Sequence, residues 1–312
     1  MEEEISVFKK EEQRWDKFVI HADKKIKLKD LLVDDLGFSI RAISKIKRQE
    51  NLYVNSEKVR PSHIVEENDI VEIILDERQS DFMSQDLGVE VLYDDFDIMV
   101  MDKPPFMVVH PTKSHNLDTL ANAASFVLNQ KRQECKIRFI NRLDMNTSGL
   151  VMIGKNAYAH HRLSSDMEKD LIDKRYIAIV KGRVKEDFGT IDEPIYRENE
   201  DTIKRIVDSR GQKSITHYKV IKRFDDASVL SIKLETGRTH QIRVHLSHIG
   251  HGIIGDELYG YVDENMINRQ ALHACQLEFN QPRTGKRINI KSDLPNDMKR
   301  LIEILEEVDD NK

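Results

Sequence analysis

The stretch VLSIKLETGRTHQIRVHLSHIG, residues 229–250, changes its period halfway along. In its first half Leu230, Ile232 and Leu234 alternate with Ser231 and Lys233, the pattern of a strand with one buried face. The chain then turns at Thr236-Gly237. Beyond the turn Ile242, Leu246 and Ile249 recur at i, i+4 and i+7, which predicts a helix with one buried side, stopped by Gly250. Thr239 stands where that helix needs a cap. Outward from this unit, short strands (VEVLY, DIMVMDK, LVMIG, YIAIVKG, RINI) and two helical segments (LDTLANAASFVLNQ, NAYAHHRLSSDME) follow one another without regular βαβ alternation. That irregularity predicts an α+β domain with a mixed sheet over residues 91–296.

The same stretch offers chemistry. Arg238 and Arg243 flank the start of the helix, and a helix N-terminus with two guanidinium groups suits an anion. His240, His245, His248 and His251 crowd together here, but no carboxylate is interleaved and no HExxH pair exists. They read as hydrogen-bonding groups, and no metal is expected. A second polar cluster, Asn141 to Gly149, lies between the apolar pair Phe139-Ile140 and the strand run Leu150–Ile153. It reads as a loop held between core elements. Spacing leaves two readings of it open: a local ion pair between Arg142 and Asp144, or a reactive Asp144 with Arg142 addressing a phosphate or a base. In a third cluster, Tyr176, Ala178 and Val180 share one face of a strand; most such tyrosines are core or rim residues.

Upstream, residues 1–76 read as a small α+β module. Leu28, Leu31, Leu32 and Leu36 have helical spacing ended by Gly37, and Ser39 can cap a second helix, IRAISKIKRQ. On that helix Ile40, Ile43 and Ile46 are expected to point one way, while Arg41, Lys45 and Arg48 line another face. Two strands follow, LYVN and IVEIIL. Residues 77–90 lack periodicity and read as a linker, and residues 297–312 as an acidic helix or tail.

Composition sets limits on all this. The 312 residues are 39% hydrophobic and 33% charged, with net charge −6. That is long enough for two domains and too acidic overall for a polycation, yet residues 41–60 carry six basic groups against two acids. Two cysteines, Cys135 and Cys275, stand far apart and exclude a disulfide scaffold. No apolar run approaches the roughly 18 residues of a membrane span, and the acidic N-terminus has no secretory pattern. A cytoplasmic protein without a membrane partner is expected. No GxGxxG, GxxxxGK[ST] or GxSxG is present, so neither a nucleotide cofactor nor a serine nucleophile is signalled.

The polar clusters together resemble the RluA/RluD-type family of RNA pseudouridine synthases. Lys103-Pro104-Pro105 to Val109-His110-Pro111 is similar to its first motif. Arg142-Leu143-Asp144 with Thr147 to Leu150 is similar to its catalytic loop, Tyr176 to Gly182 to its tyrosine strand, and Gly237 to Leu246 with Gly255-Asp256 and Tyr259-Gly260 to its arginine-bearing motif. Ala271 to Ala274 matches a late core strand. Two positions depart from the pattern: Asn141, where many members have His, and Gly252, where Pro is common. Residues 39–71 resemble a small RNA-binding module first described in a ribosomal small-subunit protein.

The resemblance implies a mixed, largely antiparallel sheet and an isomerase acting on uridines of structured RNA, here large-subunit ribosomal RNA, as a monomer without cofactor. Asp144 is then the essential carboxylate, attacking the ribose, adding to the base or removing a ribose proton. Tyr176 would stack on uracil and route the carbon-5 proton, and Arg243 would pair with Asp144. Arg142 is the candidate to fill the space left by a flipped base or to hold the backbone. Arg238, His240, Gln241, Ile242 and Leu246 would surround the substrate, with Ile242 and Leu246 excluding water. Arg41, Lys45 and Arg48 would add salt-sensitive affinity. Two alternatives stay open on residue order alone: an inactive RNA-binding assembly factor, and a base-releasing glycosidase needing a second carboxylate from Glu235 or Asp256.

Overall fold

The computed structural model describes residues 8–9, 12–75, 77–112, 115–199, 202–263 and 265–310. Its centre is a ten-stranded sheet. From one edge the strands run Phe188–Asp192, Ile215–Arg223, Ala227–Leu234, Asp173–Lys181, Leu272–Asn280, Ser148–Gly154, Ile98–Lys103 and Val91–Asp94. Arg287–Lys291 and Arg138–Phe139 pair beside this path. Every pairing in the sheet is antiparallel except one. Ser148–Gly154 runs parallel to Leu272–Asn280, joined only at Ser148↔His273 and Gly149↔Ala274. The sheet is therefore mixed and largely antiparallel, in an α+β arrangement.

That parallel pair is where the two halves of the sheet meet. Gly149 has φ +112°, and a Cβ there would lie 2.3 Å from the Ala274 carbonyl oxygen, so only glycine permits the contact. Ala274 is also opposite Tyr176. The loop before Gly149 is thereby delivered beside the tyrosine strand.

The helix after the strand Ala227–Leu234 spans Gln241–His248. Ile242 and Leu246 are buried as the spacing predicted, whereas Ile249 is only half-buried because the helix ends one residue earlier. Thr239 does not cap it. His240 is the boundary residue instead, with φ +59° and no side-chain cap bond. The C-terminal helix Asn296–Asp310 buries Met298, Leu301 and Leu305 in the core cluster that also holds Ile242 and Leu246. Glu303 and Glu307 are exposed on its other side, so this segment is a packed amphipathic helix.

The N-terminal residues form a separate four-stranded sheet, ordered Lys17–His21, Ile70–Ile74, Leu52–Val54, Glu57–Lys58. Sequence reasoning did not anticipate the strand Lys17–His21. Leu28, Leu31, Leu32 and Leu36 are all buried, but on a turn of α-helix that widens to a π-helix over Leu31–Asp35, where Leu36 N–H donates to Leu31 O. Ser39 caps the next helix, Ile40–Arg48, by accepting from Ala42 N–H. Ile43 and Ile46 are buried, but Ile40 is 76% exposed. Ile40 is the first residue of the helix, at its open end.

Residues 77–90 contain neither helix nor strand, yet they are tied to the body. Phe82, Leu87 and Val89 pack against its core, and Ser125 Oγ and Asn122 Nδ2 donate to the Phe82 and Met83 carbonyls.

Candidate active site

The loop from Asn141 to Thr147 is closed at its base by Asn141. Its amide donates to Leu150 O at 3.1 Å and accepts from Met152 N–H at 2.8 Å. Asn141 thus replaces one rung of strand pairing, a role an amide can fill with one donor and one acceptor. Two buried cations hold the tip. Lys103, fully buried, donates from Nζ to the carbonyls of Pro104, Met107 and Met145. Arg269, 1% exposed, donates to Asn146 O and Ser148 Oγ while forming a two-pronged pair with Asp297 of the C-terminal helix. Burial pulls the Lys103 ammonium down to about 7, with the Arg269 charge adding to this and Asp144 and Asp102 opposing it.

Asp144 stands between these anchors. Arg243 Nη1 donates to its Oδ2 at 2.9 Å, and His240 Nε2 lies 3.8 Å from the same oxygen. No hydrogen bond among the described residues engages Asp144 Oδ1. The other side of Arg243 is fixed by Asp256, which accepts from Nε at 2.7 Å and Nη2 at 2.8 Å. Asp256 is fully buried and also accepts from the Leu258 and Tyr259 N–H groups. Burial alone would lower the Arg243 pKa. The bonds and charges of Asp256 and Asp144 outweigh it and raise the value, so Arg243 is a permanent cation. Gly255 makes this fork possible, since a Cβ there would collide with Arg269 O at 1.9 Å.

Tyr176 is 7% exposed, and its hydroxyl has no partner among the described residues. Burial first, and the Asp144 charge second, raise its pKa well above the phenol range. Asp144, Tyr176, Arg142, Arg238, His240, Gln241, Ile242, Arg243 and Leu272 line one cavity of about 70 Å³. No ion pair joins Arg142 to Asp144: Arg142 is exposed at the cavity edge.

One expected substrate contact is corrected. Leu246 is fully buried in the core, one turn (about 5.4 Å) further along the helix than Ile242, and does not line the cavity. The Gln241 side chain is 3% exposed and spent on its own protein. It donates to Ile215 O and Thr216 Oγ1 and accepts from Thr236 Oγ1 and Arg238 N–H. His240 bonds Tyr259 Oη through Nδ1, while His245 is fully buried with its ring nitrogens on Thr216 Oγ1 and Glu193 O. Neither offers a metal ligand set. Asp256 is committed to Arg243, and Glu235 bonds His217 outside the cavity. Neither is placed as a glycosidase's second carboxylate.

Sequence reasoning had no role for Lys103, Arg269 or Tyr259. Lys103 could have been noticed as a charge closing the apolar strand Ile98–Met101, but nothing marks Arg269. A second cavity, about 500 Å³, adjoins the first through Arg238 and is lined by Tyr196, Arg197, Arg205 and Arg210 among others. Arg205 Nη1 is held by the carbonyls of Thr202, Ile203 and Lys204, and Arg238 Nε by Lys213 O.

A model of the RNA pseudouridylate synthase family matches residues 97–248. The uncharacterized RNA pseudouridine synthase YjbO of Bacillus subtilis is 35% identical over 271 residues, covering 86% of this chain and 95% of that protein. This chain belongs to the RNA pseudouridine synthase family. Its RluA/RluD-type character agrees with the ribosomal large subunit pseudouridine synthase D of Pseudomonas aeruginosa, 36% identical over 81% of this chain and 83% of that one. Among solved structures, human RNA pseudouridylate synthase domain containing 1 shares the fold, with TM-score 0.55 and 24% identity over 70% of this chain and 94% of its own. As a pseudouridine synthase the protein is an isomerase of RNA uridine. No helix among the described residues is long and apolar enough to cross a membrane.

Proposed function

We propose that this synthase isomerises uridines of large-subunit ribosomal RNA, with Asp144 as its essential carboxylate. The observation that carries the reading is the Asp144–Arg243–Asp256 chain. Arg243 is gripped from behind by a buried carboxylate, so it presents one fixed N–H to Asp144 Oδ2 and leaves Oδ1 without a protein partner among the described residues. A carboxylate so held is aimed.

The reaction breaks the bond between ribose carbon 1 and uracil nitrogen 1, turns the base, and joins carbon 5 to the ribose. Carbon 5 loses a proton and nitrogen 1 gains one, so no electrons are exchanged. Tyr176 is the group to receive or relay that proton. Burial first, and the Asp144 charge second, leave its hydroxyl too weak an acid to supply a phenolate at neutral pH. Arg142, exposed at the cavity edge, takes the space the flipped base leaves. The flanking phosphates run into the arginine-lined cavity beyond Arg238, and Arg41, Lys45 and Arg48, exposed along one face of their helix, add distant backbone contacts. In this reading residues 1–76 are an RNA-binding module, residues 91–296 the catalytic domain, and the enzyme works in the cytoplasm as a monomer.

The test is tritium release from uridine labelled at carbon 5, in ribosomal RNA from cells lacking this protein. Wild type should release tritium, while Asp144→Asn should lose roughly 10⁴-fold or more in rate, as when a group at the centre of covalent catalysis is removed. Release of free uracil would defeat the reading in favour of a glycosidase. Release from transfer RNA alone would move the substrate.

A further inference from the structure

Phe106 sits in a conformation that its side chain disfavours. It follows Pro104-Pro105 in the turn after the strand Ile98–Lys103 and has φ +62°, a turn position that glycine or asparagine ordinarily fills. A bulky residue there is a strained outlier. Burial does not compensate. The ring is 53% exposed, belongs to none of the core clusters, and stacks on no aromatic ring among the described residues.

Its position gives the strain a use. The fully buried Lys103 Nζ bonds Met107 O at 2.8 Å and Met145 O at 2.9 Å. One ammonium therefore ties the turn carrying Phe106 to the residue next to Asp144. Met145, the residue after Asp144, is itself 38% exposed.

We propose that Phe106 is a stacking platform for a nucleobase flanking the target uridine. This rests on the RNA-uridine reading above and adds a subsite to it. A planar ring stacks on any base, since every base has a π face. A turn held at both ends fixes the backbone that carries the ring, which limits the ordering cost on binding to the side chain. Strain at this residue is thus kept because it aims an aromatic face at the RNA, and relieving the strain should improve stability while harming binding.

The experiment compares Phe106→Gly, Phe106→Leu and Phe106→Trp with wild type. Melting temperature is read alongside KM and kcat for tritium release from large-subunit ribosomal RNA transcripts. Fluorescence anisotropy with the same transcripts gives affinity independently of turnover. Phe106→Gly should melt no lower than wild type and raise KM by roughly 5- to 150-fold, more than it lowers kcat. Phe106→Leu, apolar but not planar, should behave similarly, and Phe106→Trp should remain within roughly threefold of wild type. Unchanged KM and affinity in Phe106→Gly would overturn the proposal, as would a leucine variant equal to wild type. Absent tritium release by wild type would sink the catalytic reading alone, because anisotropy still decides whether Phe106 contacts RNA.

Discussion

The two regions of this molecule bury different things. The N-terminal module has an apolar core built from Phe18, Ile20, Leu28, Leu32, Ile43 and Ile73. Before residue 77 Gln13 is the only buried polar residue among those described. The catalytic body instead buries Asp97, Lys103, Lys155, Arg243, Asp256, Arg269 and Arg283. A charge on the module's surface is screened by salt and replaceable by its neighbours. A charge inside the body has a fixed partner and a fixed direction, and losing that partner strands the other ion in low dielectric. If the module binds RNA as proposed, its contribution is therefore cumulative and graded. In the body function is geometric and close to all-or-none.

The seam between them belongs to the body's style. Arg283, 6% exposed, bonds Asp97 Oδ1 at 2.8 Å and reaches across to Gln13 Oε1 and the Lys17 and Arg14 carbonyls, with its guanidinium 3.7 Å from the Phe18 ring centre. Tyr158 Oη lies 2.8 Å from Leu36 O and 3.0 Å from Pro282 O, and its ring packs on Phe18 and Phe38. The module is docked by specific contacts.

Arg283→Ala should therefore have the largest effect, costing roughly 3–5 kcal/mol in urea unfolding because Asp97 is left buried without its cation. A loss under about 1 kcal/mol would mean that the seam behaves like exposed surface. Tyr158→Phe tests the same seam more gently. Removing one hydroxyl shared by two carbonyls should cost roughly 1–2 kcal/mol, and no change would assign the docking to ring packing alone.

Acid sharpens the contrast in another way. Burial lowers the pKa of His240, His245 and His273 below the ordinary 6.5. The unfolded chain then binds more protons between the lowered values and 6.5, so stability rises with pH through that window and levels off above it. Melting curves from about pH 8 to about pH 5 should be flat at first and then fall, and His245→Gln/His273→Gln should weaken the fall. A steeper fall in the double variant would contradict this.

The smallest structural effect is expected at the module's basic face. Arg41→Glu/Lys45→Glu should stay within about 0.5 kcal/mol of wild-type stability. It should nonetheless reduce the salt slope of RNA binding by about two, one for each phosphate that the variant no longer neutralises. An unchanged slope would remove the module from the RNA interface.

Much of this was legible in residue order. The alternation of Leu230, Ile232 and Leu234 and the spacing of Ile242 and Leu246 give the strand and the helix, because local geometry imposes periods of two and 3.6. The short polar run around Asp144 marks its loop. The same reasoning misplaced Leu246, since a helical period says which side chains turn inward but not whether they meet a cavity or a core. It also put Ile40 on the buried face, where the structure buries Ile43 and Ile46 and leaves Ile40 exposed at the helix start.

The sequence by itself determined the mixed α+β class, the motif order and the family, since each depends on local spacing or on matching residues along the chain. Residue spacing does not show which charges meet; the Asp144–Arg243 pair is expected only through the family resemblance, and the other pairs come from the tertiary structure. Asp144 lies 99 residues from Arg243, and Arg283 lies 186 from Asp97. Lys103 reaches Met145 O across 42 residues. No period connects such positions. They are brought together when the parallel pair at Gly149 and Ala274 joins the two halves of the sheet, and burial then turns each encounter into a fixed pair.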